Sequence, residues 1–122
     1  MQFQWSHFID VAIFLFSNAD DTTIPREAAY RSAISRAYYA AFCHAKWHAK
    51  DNFLFEPADN EEDHRDLRDH LKDHGKKDIA RYLTQLRQWR NESDYDDPAY
   101  NATSQKVQSA ISLAEKVVST LK

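Results

Sequence analysis

Between Pro25 and Pro57 the chain holds neither glycine nor proline, and this uninterrupted stretch constrains the fold more than any other feature. Within it Tyr30, Ile34, Ala37, Ala41 and Ala45 recur at three- and four-residue steps, which puts them on one stripe of a helix. Tyr38, Phe42 and Cys43 widen that stripe into a shoulder. The spacing predicts a long helix over 25–50, with Thr23 as its cap and Pro25 in its first turn, where a missing N–H is harmless. A helix apolar over so much of its circumference belongs in the middle of a bundle, and its alanines let neighbours approach closely.

The remaining chain reads as further helices around that one. Trp5, Phe8, Ile9, Ala12, Ile13 and Phe16 form the stripe of a first helix over 3–17, followed by a polar break over 18–23. Residues 51–59 read as a loop whose Phe53 and Phe55 fold back onto the core. A third helix starts with Asn60 as N-cap and with Glu61, Glu62 and Asp63 near the positive end of its dipole, and it stops at Gly75. Only Leu67 and Leu71 give it an apolar ridge, so it is expected at the periphery. The fourth helix, over 78–93, carries Ile79, Leu83 and Leu86 inward; 94–101, with Pro98, is a connection. Val107, Ala110, Ile111, Ala114, Val117, Val118 and Leu121 line one face of a last helix over 103–121. One glycine and three prolines in 122 residues leave few tight turns for a sheet. The expectation is a single domain over 1–122, all-α, an up-and-down bundle of four to five helices with a long central second helix.

Charge and cysteine usage narrow the function classes. Sixteen basic against 19 acidic residues give a net charge of −3, which is not the broad positive surface of a dedicated duplex binder, so any nucleic-acid contact is local. Cys43 stands alone, excludes an intrachain disulfide and suits a reducing cytoplasm. The run Val11–Phe16 is too short for a signal core or a membrane span. A cytoplasmic protein without membrane attachment is expected.

The fourth helix carries the feature that points to function. Its inward stripe of Ile79, Leu83 and Leu86 lands next on Arg90, and Arg87, Arg90, Asn91 and Asp94 share one face through three-, four- and seven-residue steps. A lone buried guanidinium is costly, whereas one paired with Asp94 or aimed at an anion is tolerated. Two readings stay open: Arg90 closes the end of the bundle with Asp94 at the i,i+4 spacing, or Arg87 and Arg90 grip a phosphate with Tyr95 offering a hydroxyl or a stacking face.

Two segments carry a resemblance. Residues 31–42, with Arg31, Ser35, Arg36, Ala37, Tyr38, Tyr39 and Phe42, resemble the central helix of HEPN domains, helical nucleotide-binding bundles. Residues 86–96, with Arg87, Arg90, Asn91, Asp94 and Tyr95, resemble the arginine-asparagine-x-x-aspartate-tyrosine signature of a small prokaryotic branch of that family. The resemblance implies a four- or five-helix bundle that dimerises around its arginine-bearing helices. It also implies a place in a toxin–antitoxin-like pair with a nucleotidyltransferase partner, and a nucleotide or RNA ligand. Many relatives are metal-independent ribonucleases in which an arginine steadies the scissile phosphate and a histidine a few positions on moves the proton. Here Arg90 and Asn91 supply the first half, but the final histidine is His74, and Asp94 and Tyr95 stand where the imidazole belongs. Carboxyl and phenol groups ordinarily titrate far from neutrality and shuttle protons poorly there.

The candidate residues are therefore Arg90, Asp94 and Tyr95 for catalysis, and Arg87, Arg90, Asn91, Arg36, Tyr39 and His64 for nucleotide or phosphate binding. Arg36 and Tyr39 enter because they lie one turn apart on the central helix, and His64 because the resembling branch carries a histidine near the cleft. Three functions follow: a phosphate-binding HEPN module, a ribonuclease toxin with a degenerate site, or a structural dimerisation module whose arginines only knit copies together. The literal arginine-to-histidine spacings from Arg65 to His70 and from Arg68 to His74 fall on the third helix and are set aside as chance. His44 with His48, and His70 with His74, have zinc-compatible spacing but no further ligand, so no metal and no cofactor are expected.

Overall fold

A computed structural model of the chain describes residues 3–21, 23–95 and 100–122. Among these residues there are five helices and no strand: α1 (His7–Ser17), α2 (Arg26–Phe53), α3 (Glu62–Asp73), α4 (Lys77–Tyr95) and α5 (Ser104–Thr120). The all-α bundle expected from the periodicity is the fold. α2 packs against α1, α4 and α5, while α3 leans mainly on α4 and only touches α2. Ala33, Ala37, Ala40, Ala41 and Ala45 are wholly buried, so their missing bulk is what brings three helices close to α2. Leu67 and Leu71 are also wholly buried and hold the peripheral α3 down; each such leucine contributes about 1.5–3 kcal/mol.

The helix ends depart from the sequence reading in instructive ways. α1 begins at His7 rather than near Phe3, because Phe3 and Trp5 pack edge-on at 5.1 Å instead of continuing the helix. Ile13, assigned to its inner stripe, is 39% exposed, while Ile9 and Ala12 are buried. Thr23 does not cap α2; Pro25 takes the N-cap position itself, with extended backbone at ψ 137° and no side-chain cap. α2 also runs past Lys50 to Phe53, where Leu54 turns left-handed at φ 58° and lets the Phe55 N–H reach the Ala49 carbonyl at 3.2 Å. Phe55 thereby folds back into the core as expected.

Glu61, not Asn60, takes the N-cap position of α3, although the Asn60 side chain accepts from the Glu62 N–H at 2.9 Å. Thr103 caps α5, its side chain accepting from the Lys106 N–H at 3.1 Å. Gly75, at φ 76°, closes α3 by letting the Lys76 N–H reach the Leu71 carbonyl at 2.8 Å. Before α3 the buried Asp63 carboxylate accepts from the N–H groups of Ala58 at 2.7 Å and Asp59 at 2.9 Å, fixing the α2–α3 loop. α4 continues two residues beyond the expected Ser93, so Asp94 and Tyr95 keep helical register instead of opening a connection. Pro98, read as part of that connection, lies outside the described residues. No helix among the described residues is long and apolar enough to cross a membrane.

Candidate functional site

α4 delivers an aliphatic ridge that ends in a charge. Ile79, Leu83 and Leu86 are buried, and Arg90, next in the same register, is only 5% exposed. Its Nη2 donates to the Tyr39 hydroxyl at 2.7 Å and its Nη1 donates to Asn91 Oδ1 at 3.1 Å. Its Nε faces the Asp94 carboxylate at 3.3 Å without the alignment of a hydrogen bond. The guanidinium carbon also lies 5.2 Å from the Tyr39 ring centre, 5.3 Å from that of Tyr95 and 5.8 Å from that of Tyr38. Burial opposes the charge, but Tyr39, Tyr95 and Asp94 outweigh it and hold the pKa above the usual arginine value. Arg90 is a permanent cation inside a half-circle of phenol rings.

The rest of the cluster lies beside it. Asp94 also accepts from Ser35 Oγ at 3.1 Å, which ties the last turn of α4 to α2. Tyr95 is 71% exposed and presents its ring to Arg90. One turn earlier, Arg87 Nη2 pairs with the Glu61 carboxylate at 3.3 Å, while Arg87 Nε is buried with no acceptor. Arg87 and Asn91, with Arg68, Thr84, Gln88 and Glu92, line a surface groove of about 340 Å³. Arg36 sits 5.6 Å from the Tyr39 ring centre.

His64, in the first turn of α3, joins this network from below. Its ring stacks on Phe42 at 4.2 Å and on Tyr38 at 5.7 Å, and its Nε2 lies 3.8 Å from the Glu61 carboxylate. The Tyr38 hydroxyl bonds its Nδ1. Burial and then the positive charge of Arg87 push the imidazole pKa from 6.5 down to about 4, against the opposing pull of Glu61. Burial likewise pushes the Tyr38 phenol well above its usual range, so the hydroxyl donates and the neutral imidazole accepts at Nδ1. These partners assign the remaining ring proton to Nε2, facing Glu61 and Arg87.

Every residue singled out from the sequence thus falls in one region: Arg36 and Tyr39 on α2, His64 on α3, and Arg87, Arg90, Asn91, Asp94 and Tyr95 on α4. Three members were not foreseen in these roles. Tyr38 reads from its place in the stripe as core packing and is indeed 1% exposed, yet its hydroxyl bonds His64 while Arg90 lies 5.8 Å from its ring centre. Ser35 and Glu61 hold Asp94 and Arg87 respectively. The i,i+3 spacing of Glu61 and His64 hinted at the second, but no local spacing joins α2 to Asp94. Elsewhere, His44 and His70 direct ring nitrogens to the carbonyls of Leu121 and Phe53. Arg65 is exposed and pairs with Asp66, away from the cluster.

The HEPN domain model matches residues 17–122, from the last residue of α1 through all of α2 to α5. Curated proteins and solved structures gave no match. With the whole arginine-bearing bundle inside the matched span, the chain belongs to the HEPN domain family.

Proposed function

We propose that this HEPN domain binds the phosphate of a nucleotide or of RNA against Arg87 and Arg90. In this reading it acts as a homodimer with a nucleotidyltransferase partner in a toxin–antitoxin-like pair. One observation supports the ligand: Arg87 and Arg90 stand one helical turn apart, the Nε of Arg87 buried without a hydrogen-bond acceptor and that of Arg90 meeting the Asp94 carboxylate at 3.3 Å out of alignment. A buried donor left unmade costs about 1–3 kcal/mol, so neighbouring guanidiniums left short of acceptors favour an anion with several acceptor oxygens. Phosphate is that anion, and arginine binds it in charge-assisted pairs. Glu61 stands in its way only weakly, because its side chain is 80% exposed and an exposed ion pair is worth about 0–1 kcal/mol. Tyr39 and Asn91 hold the Arg90 guanidinium in place before any ligand arrives. The dimer and the partner rest on membership of the family alone.

The ribonuclease reading is favoured by a different observation, a neutral histidine in the same cluster as the two arginines. There His64 would take the proton that the missing histidine after Arg90 cannot, with Arg90 steadying the phosphate. Its pKa of about 4 makes it a weak base, and burial against Phe42 and Tyr38 keeps substrate from it. Phosphate binding without cleavage is the better reading.

Titration calorimetry with AMP and with a short single-stranded RNA, in chelator, tests it. Losing a charge-assisted bond worth about 1.5–3 kcal/mol weakens binding roughly 10- to 150-fold in Arg87→Ala and Arg90→Ala, while the wild type leaves the RNA intact. RNA cleavage that disappears in Arg90→Ala establishes the ribonuclease instead. Loss of dimer with no effect on ligand leaves only a structural module.

A further inference from the structure

The protein carries a net charge of −3 and 19 acidic residues, yet from Ala28 to Lys50 there is none. This acid-free run is most of α2, and of its four arginines and lysines all but Arg31 share one face. Arg36, Tyr39, Lys46, Trp47 and Lys50 fall within about 100° of the helix circumference and span about 21 Å along its axis. Nor do these cations find carboxylates elsewhere: among the described residues Arg36, Lys46 and Lys50 make no ion pair, whereas Arg26, Arg31, Arg87 and Arg90 all do. They lie over aromatic rings instead. Arg36 is 5.4 Å from the centre of Phe8 and 5.6 Å from that of Tyr39; Lys46 and Lys50 are 5.6 and 4.8 Å from that of Trp47.

The stripe is continuous with the arginine cluster and open at its far end. Tyr39 meets both Arg36 and Arg90 through its ring, which joins the α4 cluster to the α2 face; between Tyr39 and Lys46 the same sector passes over the buried Cys43. At the other end Trp47 and Phe3 are 38% and 54% exposed and, with Trp5 and Lys50, border a groove of about 430 Å³. Asp51 is the one acid at its rim. α1 brings no further negative charge, since Asp10 faces a separate groove towards Glu115 and Lys116 of α5. Unpaired cations track a phosphate backbone, and exposed rings offer faces on which unpaired bases stack. A purely apolar partner surface would not need the cations, and a duplex would hide the faces that Trp47 and Phe3 are placed to meet.

We infer that this face of α2 is a track for single-stranded RNA, leading from the Arg90 cluster past Arg36 and Lys46 to a stacking platform at Trp47. The inference rests on the phosphate reading of the cluster and names its ligand as a strand rather than a free nucleotide. Fluorescence anisotropy with a labelled single-stranded RNA of about 12 nucleotides, over a series of salt concentrations, tests it. Trp47→Ala weakens binding at least tenfold, and Lys46→Glu with Lys50→Glu weakens it further while flattening the salt dependence. The charge-matched pair Lys72→Glu with Lys77→Glu, on exposed positions of α3 and α4, binds as the wild type does. Circular dichroism checks that each variant is folded, and Tyr39→Phe gives a second reading at the junction. Undiminished binding in the Trp47 and lysine variants overturns the track but leaves the cluster standing if Arg90→Ala still weakens binding. A track that responds while Arg90→Ala does not supports the track and refutes the cluster. No RNA binding by the wild type overturns the track; variants that only turn dimer into monomer overturn it and make this face an interface between copies.

Discussion

His64 makes the stability of this protein sensitive to mild acid, and the size of the effect follows from where the ring sits. It is 7% exposed, stacked against Phe42 and Tyr38, accepts the Tyr38 hydroxyl at Nδ1, and lies among the positive charges of Arg87, Arg90 and Arg68. Its pKa therefore lies at about 4 in the folded protein against 6.5 in the open chain. Between those two values the unfolded chain binds a proton that the folded one refuses, so stability falls as pH falls. The contribution is intact above pH 6.5, declines through the interval and levels off below about 4. At about 1.4 kcal/mol per pH unit the full loss is roughly 3 kcal/mol. Urea denaturation followed by circular dichroism, at steps from pH 7.5 to 4.5, reads it directly. Comparison with His64→Gln, which cannot titrate, removes the carboxylates and other histidines from the difference. If wild type and variant lose stability in parallel over that range, the imidazole is not held neutral and the reasoning about the cluster's core fails.

Neighbouring groups give further expectations, each checked by the same denaturation measurement at pH 7.5. Tyr38→Phe leaves the buried Nδ1 of His64 without its donor and lowers stability by about 1–3 kcal/mol, with little change in helix content. Asp63→Ala frees the N–H groups of Ala58 and Asp59 and costs a similar amount, about 1–3 kcal/mol, and it also speeds proteolysis within 54–60 because the loop loses its anchor. Thr103→Ala removes the one side-chain cap of α5 and lowers stability by about 1 kcal/mol.

What could be read from the chain, and what could not, divides along the range of the interactions. The stripe of α2 was legible because small and aromatic residues repeat at helical steps without a breaker, and Arg90 was legible as a charge in an aliphatic register for the same reason. α1 was read too long because its aromatic spacing continues upstream, where Phe3 and Trp5 satisfy one another outside a helix. α4 was read too short because Asp94 and Tyr95 precede Pro98 and look like the start of a turn; the Arg90–Asp94 contact and the Ser35 hydrogen bond carry the helix on. The Tyr38–His64 bond was invisible, since nothing in either segment encodes which face of α3 meets α2. Tyr38 accordingly looked like packing alone, and His64 entered only through the resemblance. The acid-free run of α2 was open to view in the sequence, but its meaning depended on seeing that its cations find rings and not carboxylates.

The central claim is that an anion belongs beside Arg90, and that the cation is kept there for binding and not for stability. Arg90→Leu separates the two. Leucine continues the buried ridge of Leu83 and Leu86, and Asp94, whose side chain is 27% exposed, keeps its bond to Ser35, so the variant melts at or above the wild-type temperature. The decisive measurement is the change in melting temperature produced by saturating AMP in the two proteins. Ligand at 100 times the wild-type dissociation constant stabilises the wild type by about 2.7 kcal/mol, a rise of several degrees, but Arg90→Leu, binding roughly 10- to 150-fold more weakly, by only about 0.3–1.4 kcal/mol. An equal rise in both proteins contradicts the claim.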